Sequence, residues 1–294
     1  MKTALIFGAN GYLGKNINYF LVRHGIETIC FDIHDKARGN VSNYQKLDIT
    51  NAKNFENINL KVDYVYFFSG LTGTYQGFTD ASKYITINEI GLSNLLNALV
   101  KQNSKARIIF PSTRLIYKGI KNTPLKETAI QEPKTIYAIN KLACENMLSA
   151  YKNVFDINYT IFRICVPFGN LIEGDISYGT FGFFENTAKK GKNITIYGDG
   201  SLKRTFTHVS DLIEKMATTV SKLHSNGEIY NIGGETASLL EVAEKIASKH
   251  GVKTEFIEWP ETALLIESGD TIFDGTKLDK ITYSGVKVKL ESIY

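Results

Sequence analysis

The feature that most constrains the fold is a regular alternation of strand-like and helix-like segments through the first 165 residues. Short apolar runs are typical of buried strands, and the segments between them carry apolar residues at helical spacing. Strands that alternate with helices predict a parallel sheet covered on both faces, and the right-handed crossover rule makes it an α/β, doubly wound parallel sheet. The strand-like runs are Thr3–Phe7, Thr28–Asp32, Tyr64–Phe68, Arg107–Pro111 and Thr160–Cys165, and the helix-like segments are Tyr12–Arg23, Ser82–Gln102 and Ile136–Tyr151.

The pattern changes after Pro167, where the predicted elements become shorter and glycines lie closer together. We therefore expect two parts, a sheet domain over residues 1–166 and a smaller lobe over 167–294, with some exchange of strands and helices between them. The lobe is predicted to contain helices at Phe183–Lys190, Asp211–Leu223 and Ser238–His250, and strands at Ile194–Tyr197 and Glu228–Ile232.

Charge and composition narrow the class of partner. The net charge of +4 comes from 34 basic and 30 acidic residues whose signs are interleaved. This balance suits anionic small molecules and lacks the basic stripe that nucleic acids need. No apolar run is long enough to predict a membrane span, and the apolar N-terminal segment is too short for a signal-peptide core. Three cysteines, an odd number, predict a reducing, cytoplasmic location. Five histidines without ligand spacing predict no metal site.

A glycine-rich motif lies between the first predicted strand and the first predicted helix, Gly8-Ala9-Asn10-Gly11-Tyr12-Leu13-Gly14. Glycines let the chain turn sharply and let backbone N–H groups approach a pyrophosphate at the positive end of the helix. A tight turn without a ligand is the alternative. The position between strand and helix favours a dinucleotide site.

An acidic residue, Asp32, ends the second predicted strand, 24 residues after Gly8. A carboxylate there accepts hydrogen bonds from the adenosine ribose and repels a 2′-phosphate, which favours NAD over NADP. Lys36 and Arg38 lie close by and could accept a phosphate, so NADP is the alternative, as is an Asp32 that only caps a turn. Asp48 is a further candidate, for the adenine edge.

Three Tyr-x-x-x-Lys pairs occur, of which one lies in a segment of helical period. Spacing of four on a helix places both side chains on one face. An ammonium beside a phenol stabilises the phenolate and draws its pKa from about 10 towards neutrality, where it can exchange a proton. Ser112 and Thr113, after the Arg107–Pro111 strand, supply hydroxyls that could orient a substrate oxygen. The helical pair is Tyr137/Lys141, and the other two are Tyr117/Lys121 and Tyr283/Lys287.

Taken together, these motifs resemble the extended short-chain dehydrogenases/reductases of the nucleotide-sugar epimerase/dehydratase kind, whose large domain is a Rossmann fold. The resemblance covers nearly the whole chain. It depends on the glycine motif, on Asn88, and on the stretches 111–117, 137–141, 162–169, 196–211, 230–234 and 238–241.

The resemblance implies roles for individual residues. Thr113 would bind the sugar oxygen, Tyr137 would act as acid and base, Lys141 would bind the nicotinamide ribose, and Arg204 would hold the substrate diphosphate. His208 is interpreted as structural. The family also implies a homodimer formed through the Ser82–Gln102 and Ile136–Tyr151 helices. The expected cofactor-binding residues are Gly8, Asn10, Gly11, Tyr12, Leu13, Gly14, Asp32, Asp48, Ile49, Phe68, Asn88, Tyr137 and Lys141.

Two departures from the family pattern limit the choice of reaction. Dehydratases of this group carry an acid pair directly after the Thr, where this chain has Arg114 and Leu115. Epimerases often carry Asn where this chain has Val166. We expect an NAD(P)-dependent oxidoreductase acting at a hydroxyl or keto carbon, C4, of a nucleotide-linked sugar, as a 4-ketoreductase or an epimerase. The alternatives are an inactive dinucleotide-sensing protein and, disfavoured by Arg114 and Leu115, a dehydratase.

Overall fold

A computed structural model of the chain describes residues 1–39, 41–173 and 178–293. Its main element is a seven-stranded parallel sheet in the order β11-β7-β5-β4-β1-β2-β3. The chain runs outward from β1 in both directions, which confirms the predicted doubly wound α/β fold. The strands are β1 Thr3–Phe7, β2 Glu27–Asp32, β3 Tyr44–Lys46, β4 Tyr64–Phe67, β5 Arg107–Thr113, β7 Tyr159–Ile164 and β11 Glu228–Asn231.

The central strands are apolar because both faces of the sheet are covered. Alternate residues of a strand point to opposite faces, so each face has its own core. Leu5 and Phe7 pack with Leu92 on one face. Ala4 and Ile6 pack with Ile17 on the other. All six of these side chains have no measurable exposed surface.

The helices largely follow the predicted segments. The first begins and ends where predicted, whereas the predicted Ser82–Gln102 helix is divided by a π-helical turn at Thr86–Ile90. Within the described part of the chain, no helix has the length and apolar character needed to cross a membrane. The helices are α1 Tyr12–Arg23, α2 Gln76–Thr79, α3 Ala81–Ile85, α4 Gly91–Lys101, α5 Ile136–Phe155, α6 Gly179–Lys189, α7 Val209–Val220, α8 Leu239–His250, α9 Glu261–Leu265 and α10 Thr276–Asp279.

The second half of the chain forms small sheets packed against α6 and α8. Strand β10 pairs in parallel with β8 and antiparallel with β12, and β9 pairs with β13. Phe168, Phe184 and Ile246 are buried in the core of this lobe. The remaining strands are β6 Pro124–Leu125, β8 Val166–Phe168, β9 Ile194–Tyr197, β10 Lys203–His208, β12 Glu235–Ser238, β13 Thr254–Ile257 and β14 Ile272–Phe273.

Several elements from beyond residue 167 belong to the first part of the molecule. Strand β11 extends the large sheet by pairing with β7, and α7 packs Leu212 and Ile213 into one of its two cores. Strand β14 pairs with β6. A division between residues 166 and 167 falls within β8, and two helices (α7 and α10) and two strands (β11 and β14) from beyond it pack with the first part.

Candidate active site

The glycine motif forms the turn between β1 and α1. Gly8 has φ of +84°, and a Cβ on it would lie 2.6 Å from the backbone nitrogen of Ser69. A Cβ on Gly14 would collide with the carbonyl oxygen of Gly8. Gly11 precedes the first helical residue, and no side chain caps that end of α1. The turn therefore leaves the positive end of a helix open to an anion, as a pyrophosphate site requires.

Two cavities, of about 520 and 680 Å³, meet at this turn and share Gly8, Gly11, Phe68, Gly70 and Leu71. We call the smaller one the reaction cavity and the larger one the adenosine cavity. The reaction cavity is also lined by Tyr12, Leu13, Gly14, Thr113, Tyr137 and Lys141, and the adenosine cavity by Asn10, Asp32, Asp48 and Ile49. The structure thus brings together twelve of the thirteen expected cofactor-binding residues around one continuous space, Asn88 being the exception.

The carboxylate of Asp32 is held in place at the adenosine cavity. Its Oδ2 accepts a hydrogen bond of 3.0 Å from the backbone N–H of Asn10, and its Oδ1 lies 2.7 Å from Nδ1 of His34. The side chain is 9% exposed. Arg38 lines the same cavity, and its backbone N–H donates to Oδ1 of Asn10. A fixed carboxylate at the end of β2 and a cation therefore face the same space, as the sequence predicted for this corner.

Asp48 and Ile49 line the adenosine cavity in a turn after β3. Oδ1 of Asp48 accepts hydrogen bonds from the N–H and the hydroxyl of Thr50, at 2.9 and 2.7 Å. The Asp48 carbonyl oxygen accepts hydrogen bonds from Asn54 and Asn51, so this arrangement fixes the turn and leaves Oδ2 for a ligand. Lys83, which sequence analysis did not select, lines the same cavity.

Asn88 lies in the π-helical turn and lines neither cavity. Its Oδ1 accepts a 2.7 Å hydrogen bond from the N–H of Leu71, and its Nδ2 lies 3.2 Å from the carbonyl oxygen of Leu71. The sequence predicts that Asn88 contacts the cofactor directly, but the structure places its side chain outside both cavities. Asn88 instead holds the loop after β4, which borders both cavities.

That loop, Gly70-Leu71-Thr72-Gly73-Thr74, was missed by sequence analysis. All five residues line the reaction cavity. Gly70 and Gly73 have φ of +159° and +117°. Its signal was present as two glycines three apart directly after a predicted strand, a pattern that favours close backbone approach to a ligand.

The predicted catalytic residues converge in the reaction cavity. Thr135 starts α5 by accepting a hydrogen bond from the N–H of Ala138, which places Tyr137 in the first turn. Lys141, one turn later, donates a 2.8 Å hydrogen bond to the carbonyl oxygen of Pro111. Thr113 ends β5, and a hydrogen bond with its side chain lowers the pKa of Tyr137. A hydroxyl, a phenol and an ammonium thus meet at the carboxyl end of a parallel strand.

Burial determines the charge state of this group. Desolvation raises the pKa of Tyr137 well above its ordinary value, and the nearby Tyr178 phenol raises it further. Desolvation also lowers the pKa of Lys141 to about 8. Desolvation is the largest influence on the pKa of Tyr137 in the protein alone, and the expectation that Lys141 lowers this pKa stays a prediction. The ammonium bonds a backbone carbonyl instead of the phenol, and the loss of water around the phenol dominates.

Tyr178, just before α6, is a second phenol in the reaction cavity that sequence analysis did not select. Its ring stacks on that of Tyr12 with centroids 5.2 Å apart and planes 5° from parallel. A hydrogen bond with the Tyr178 side chain also raises the pKa of Tyr137. No motif or period marked this position, because the contact joins segments more than 160 residues apart.

Arg204, expected to grip a diphosphate, lines neither cavity. It is 1% exposed, and its guanidinium pairs with Glu267 at 2.6 Å and donates to the carbonyl oxygens of Lys203 and Gly269. The guanidinium is therefore already engaged by protein groups in this structure, and the role of Arg204 in holding a diphosphate stays a prediction. Sequence analysis could not foresee the pair because Glu267 lies 63 residues away.

The remaining candidates are structural. Tyr117 donates its phenol to Asn231 and accepts a hydrogen bond from Arg163, and Tyr283 donates to Asp211. His208 begins α7 and accepts a hydrogen bond from the N–H of Ser210. Among the described residues, no group of three or more His, Cys, Asp or Glu side chains is arranged to hold a metal ion.

Comparisons with known proteins agree with this architecture. The model of the "NAD dependent epimerase/dehydratase family" matches residues 4–233. A UDP-N-acetyl-alpha-D-glucosaminuronate decarboxylase of Bacillus cytotoxicus is 28% identical over 260 residues, 83% of this chain and 79% of that protein. A CDP-paratose 2-epimerase of Salmonella typhi is 25% identical over 87% of each chain. The crystal structure of a UDP-glucose 4-epimerase from Thermotoga maritima shares the fold, with a TM-score of 0.87 at 21% identity over 98% of this chain and 95% of that one.

Proposed function

Because the chain belongs to the NAD-dependent epimerase/dehydratase family, we propose that it is an oxidoreductase acting at the C4 hydroxyl or keto carbon of a nucleotide-linked sugar. The observation that carries this proposal is the convergence of Thr113, Tyr137 and Lys141 in a cavity continuous with the glycine turn. NAD is the proposed cofactor, since the fixed carboxylate of Asp32 faces the adenosine cavity and disfavours a 2′-phosphate. NADP is the alternative, because Arg38 lines the same cavity.

The described residues fit a bound dinucleotide. The open N-terminal end of α1 would hold the pyrophosphate, and Asp32 would accept hydrogen bonds from the ribose beside it. Asp48 and Ile49 would border the adenine. When bound, the nicotinamide would supply the hydride acceptor and donor that the protein itself lacks.

The proton steps are assigned to the chain's own residues. Tyr137 would exchange a proton with the sugar oxygen, while the Thr113 hydroxyl orients that oxygen. Lys141 has two N–H donors beyond the one given to Pro111 and lines the cavity, so these would be available to a ribose hydroxyl there. A ligand that turns the ammonium from the carbonyl towards the phenol would lower the pKa of Tyr137.

The geometry favours an epimerase or a 4-ketoreductase over a dehydratase. Arg114 and Leu115 line the reaction cavity directly after Thr113. Neither side chain can act as the carboxylic acid or carboxylate that elimination of water from the sugar needs. An inactive dinucleotide-sensing protein is the rival from another class, and the complete set of Thr113, Tyr137 and Lys141 argues against it.

The proposal is tested by cofactor and nucleotide binding. Purified protein is denatured, and the released dinucleotide is identified with its redox state. Tightly bound NAD would support an epimerase, and an empty site that prefers NADPH would support a reductase. Calorimetric titration with UDP, GDP, CDP and dTDP then ranks the base. If no diphosphate binds below millimolar concentration, the nucleotide-sugar assignment is wrong.

We also propose a homodimer in a reducing, cytoplasmic compartment. Ile85, Ile90, Ile139 and Phe155, on the segment from α3 to the π-helical turn and on α5, are each between 43% and 50% exposed. Apolar residues of this size gathered on neighbouring helices are typical of a subunit interface. Cys30, Cys144 and Cys165 are free thiols. Analytical sedimentation of the wild type and of Ile139→Glu tests this proposal. The wild type is expected to be a dimer and the variant a monomer.

A further inference from the structure

The reaction cavity is lined by a cation that forms no ion pair with a carboxylate of the described residues. Arg114 directly follows Thr113 and lines this cavity. Its guanidinium donates one 3.0 Å hydrogen bond, to the hydroxyl of Ser268. In the described ranges 1–39, 41–173 and 178–293, no carboxylate forms an ion pair with it, whereas both Arg163 and Arg204 have one.

The charges around Arg114 do not cancel. Arg204 and Glu267 neutralise each other at 2.6 Å, so the three side chains together carry a formal charge of +1. Burial and the neighbouring Arg204 lower the pKa of Arg114 to about 10, which leaves it protonated at neutral pH. Arg114 is partly buried; a desolvated cation without a counterion is costly, and an anion that binds beside it recovers part of that cost.

We propose that Arg114 binds a carboxylate carried by the sugar of the nucleotide-sugar substrate. This inference rests on the function proposed above. A guanidinium has a planar fork that pairs with a carboxylate through two hydrogen bonds. One N–H donor of the guanidinium is used by the Ser268 hydroxyl, and the remaining N–H donors are enough for such a pair.

The position of Arg114 in the chain identifies the sugar as the source of the anion. Arg114 and Thr113 line the same cavity, and their Cα atoms are consecutive, about 3.8 Å apart, so the cation and the hydroxyl that would orient the reacting oxygen face one space. For a reaction at C4, the diphosphate is attached across the ring at C1. With the reacting oxygen at Thr113, a carboxylate next to the reacting carbon would therefore lie on the Arg114 side of the cavity, and the diphosphate would lie across the ring from it. The substrate class is a nucleoside diphosphate hexuronate.

The test compares two ligands that differ only in the carboxylate. On the base that calorimetry ranks first, the NAD-loaded protein is titrated with a nucleoside diphosphate hexuronate, the matching neutral hexose and the free diphosphate. The account predicts that the hexuronate binds at least ~10-fold more tightly than the hexose, the scale of a charge-assisted hydrogen bond. In Arg114→Gln this preference is expected to disappear, while affinity for the hexose and the free diphosphate changes less than ~3-fold.

A matched control lies at the other end of the same strand. Arg107, the first residue of β5, donates to the hydroxyls of Thr160 and Ser225 and lines neither cavity. Arg107→Gln is expected to keep the preference for the hexuronate. Thermal unfolding of both variants identifies any that fails to fold, and Arg114→Lys, which keeps the charge, should retain part of the preference.

The outcomes separate this inference from the function on which it rests. Equal or tighter binding of the neutral hexose by the wild type overturns the carboxylate proposal alone. A preference that survives in Arg114→Gln does the same. If Arg114→Gln weakens hexuronate, hexose and free diphosphate equally, Arg114 binds the diphosphate and the proposal is wrong. If no diphosphate or sugar nucleotide binds the wild type, the proposed function fails and takes this inference with it.

Discussion

The Nζ atom of Lys141 lies 2.8 Å from the carbonyl oxygen of Pro111 and 5.9 Å from the centre of the Tyr137 ring. The backbone of the strand that ends at Thr113 therefore holds the ammonium near the face of the Tyr137 ring through the Pro111 carbonyl. This relationship explains why burial dominates the pKa of Tyr137 in the protein alone. It also makes the activation of the phenol dependent on what else enters the cavity.

Replacing Tyr137 with Phe removes the proposed acid and base. We expect kcat to fall at least ~100-fold, the scale of general acid–base catalysis, with little change in dinucleotide affinity. The matched control is Tyr283→Phe, which alters another Tyr-x-x-x-Lys pair whose phenol donates to Asp211 outside the cavities. Steady-state kinetics check both variants. Turnover near the wild-type rate in Tyr137→Phe excludes this residue from the proton step.

Replacing Lys141 with Met should stabilise the protein at pH 7. The pKa of Lys141 falls from its ordinary 10.5 to about 8 in the folded chain. Since the unfolded chain keeps its proton to higher pH, the folded wild type bears the full cost of the buried charge below pH 8. That cost declines as the pH rises from 8 to 10.5. After the lost hydrogen bond to Pro111 is counted, we expect a gain of about 2 kcal/mol at pH 7.

Urea unfolding at pH 7, 9 and 10 measures this effect. The advantage of Lys141→Met should shrink with rising pH, and activity should be lost at every pH. Lys101→Met, at an exposed position, is the control and should show no such trend. A variant that is less stable than the wild type at pH 7 would contradict the assigned cost of the buried ammonium.

Replacing Asp32 with Ser should change the choice of cofactor. Without the carboxylate at the adenosine cavity, we expect preference to shift towards NADP by about 1–3 kcal/mol. Asp35→Ser is the control, because Asp35 is exposed and pairs with Lys46 outside the cavity. Fluorescence titration with NADH and NADPH gives both affinities. Tighter binding of NADPH by the wild type would show that Asp32 does not select the cofactor.

Replacing Arg204 with Ala tests the reassignment of that residue. The change leaves Glu267 without its partner, so the free energy of unfolding should fall by about 3 kcal/mol. Arg23→Ala, at an exposed position, should change it little. Urea unfolding of the wild type and both variants measures these free energies. Unchanged stability together with a selective 10- to 100-fold loss of diphosphate affinity would restore the phosphate role expected from sequence.

Local patterns predicted the sheet domain well. The strand runs and glycine turn depend on residues close in sequence, and the structure places the first helix at the residues predicted. Strand β3 was missed because it has three residues, Tyr44–Lys46, and only its tyrosine is apolar. The π-helical turn was missed because its pattern of apolar residues continues that of the helices around it.

The candidate site was predictable where a motif identified each residue and unpredictable where distant segments meet. Tyr137 and Lys141 follow from spacing on one helix. The burial of Arg204 against Glu267, the stack of Tyr178 on Tyr12 and the use of Asn88 to hold Leu71 all depend on tertiary contacts. The resemblance to a family assigned roles to Arg204 and Asn88, but it could not show which partners this chain supplies to them.

The most direct test of the central claim is NMR-detected conversion of nucleotide-linked sugars by the protein, with catalytic NAD for an epimerase and with stoichiometric NADH or NADPH for a 4-ketoreductase. The account predicts that at least one such sugar changes at C4 alone, that Tyr137→Phe abolishes the change, and that Tyr283→Phe does not. If no nucleotide-linked sugar is converted while a free sugar or hydroxy acid is oxidised with stoichiometric NAD, or if Tyr137→Phe converts the sugar at the wild-type rate, the account is contradicted.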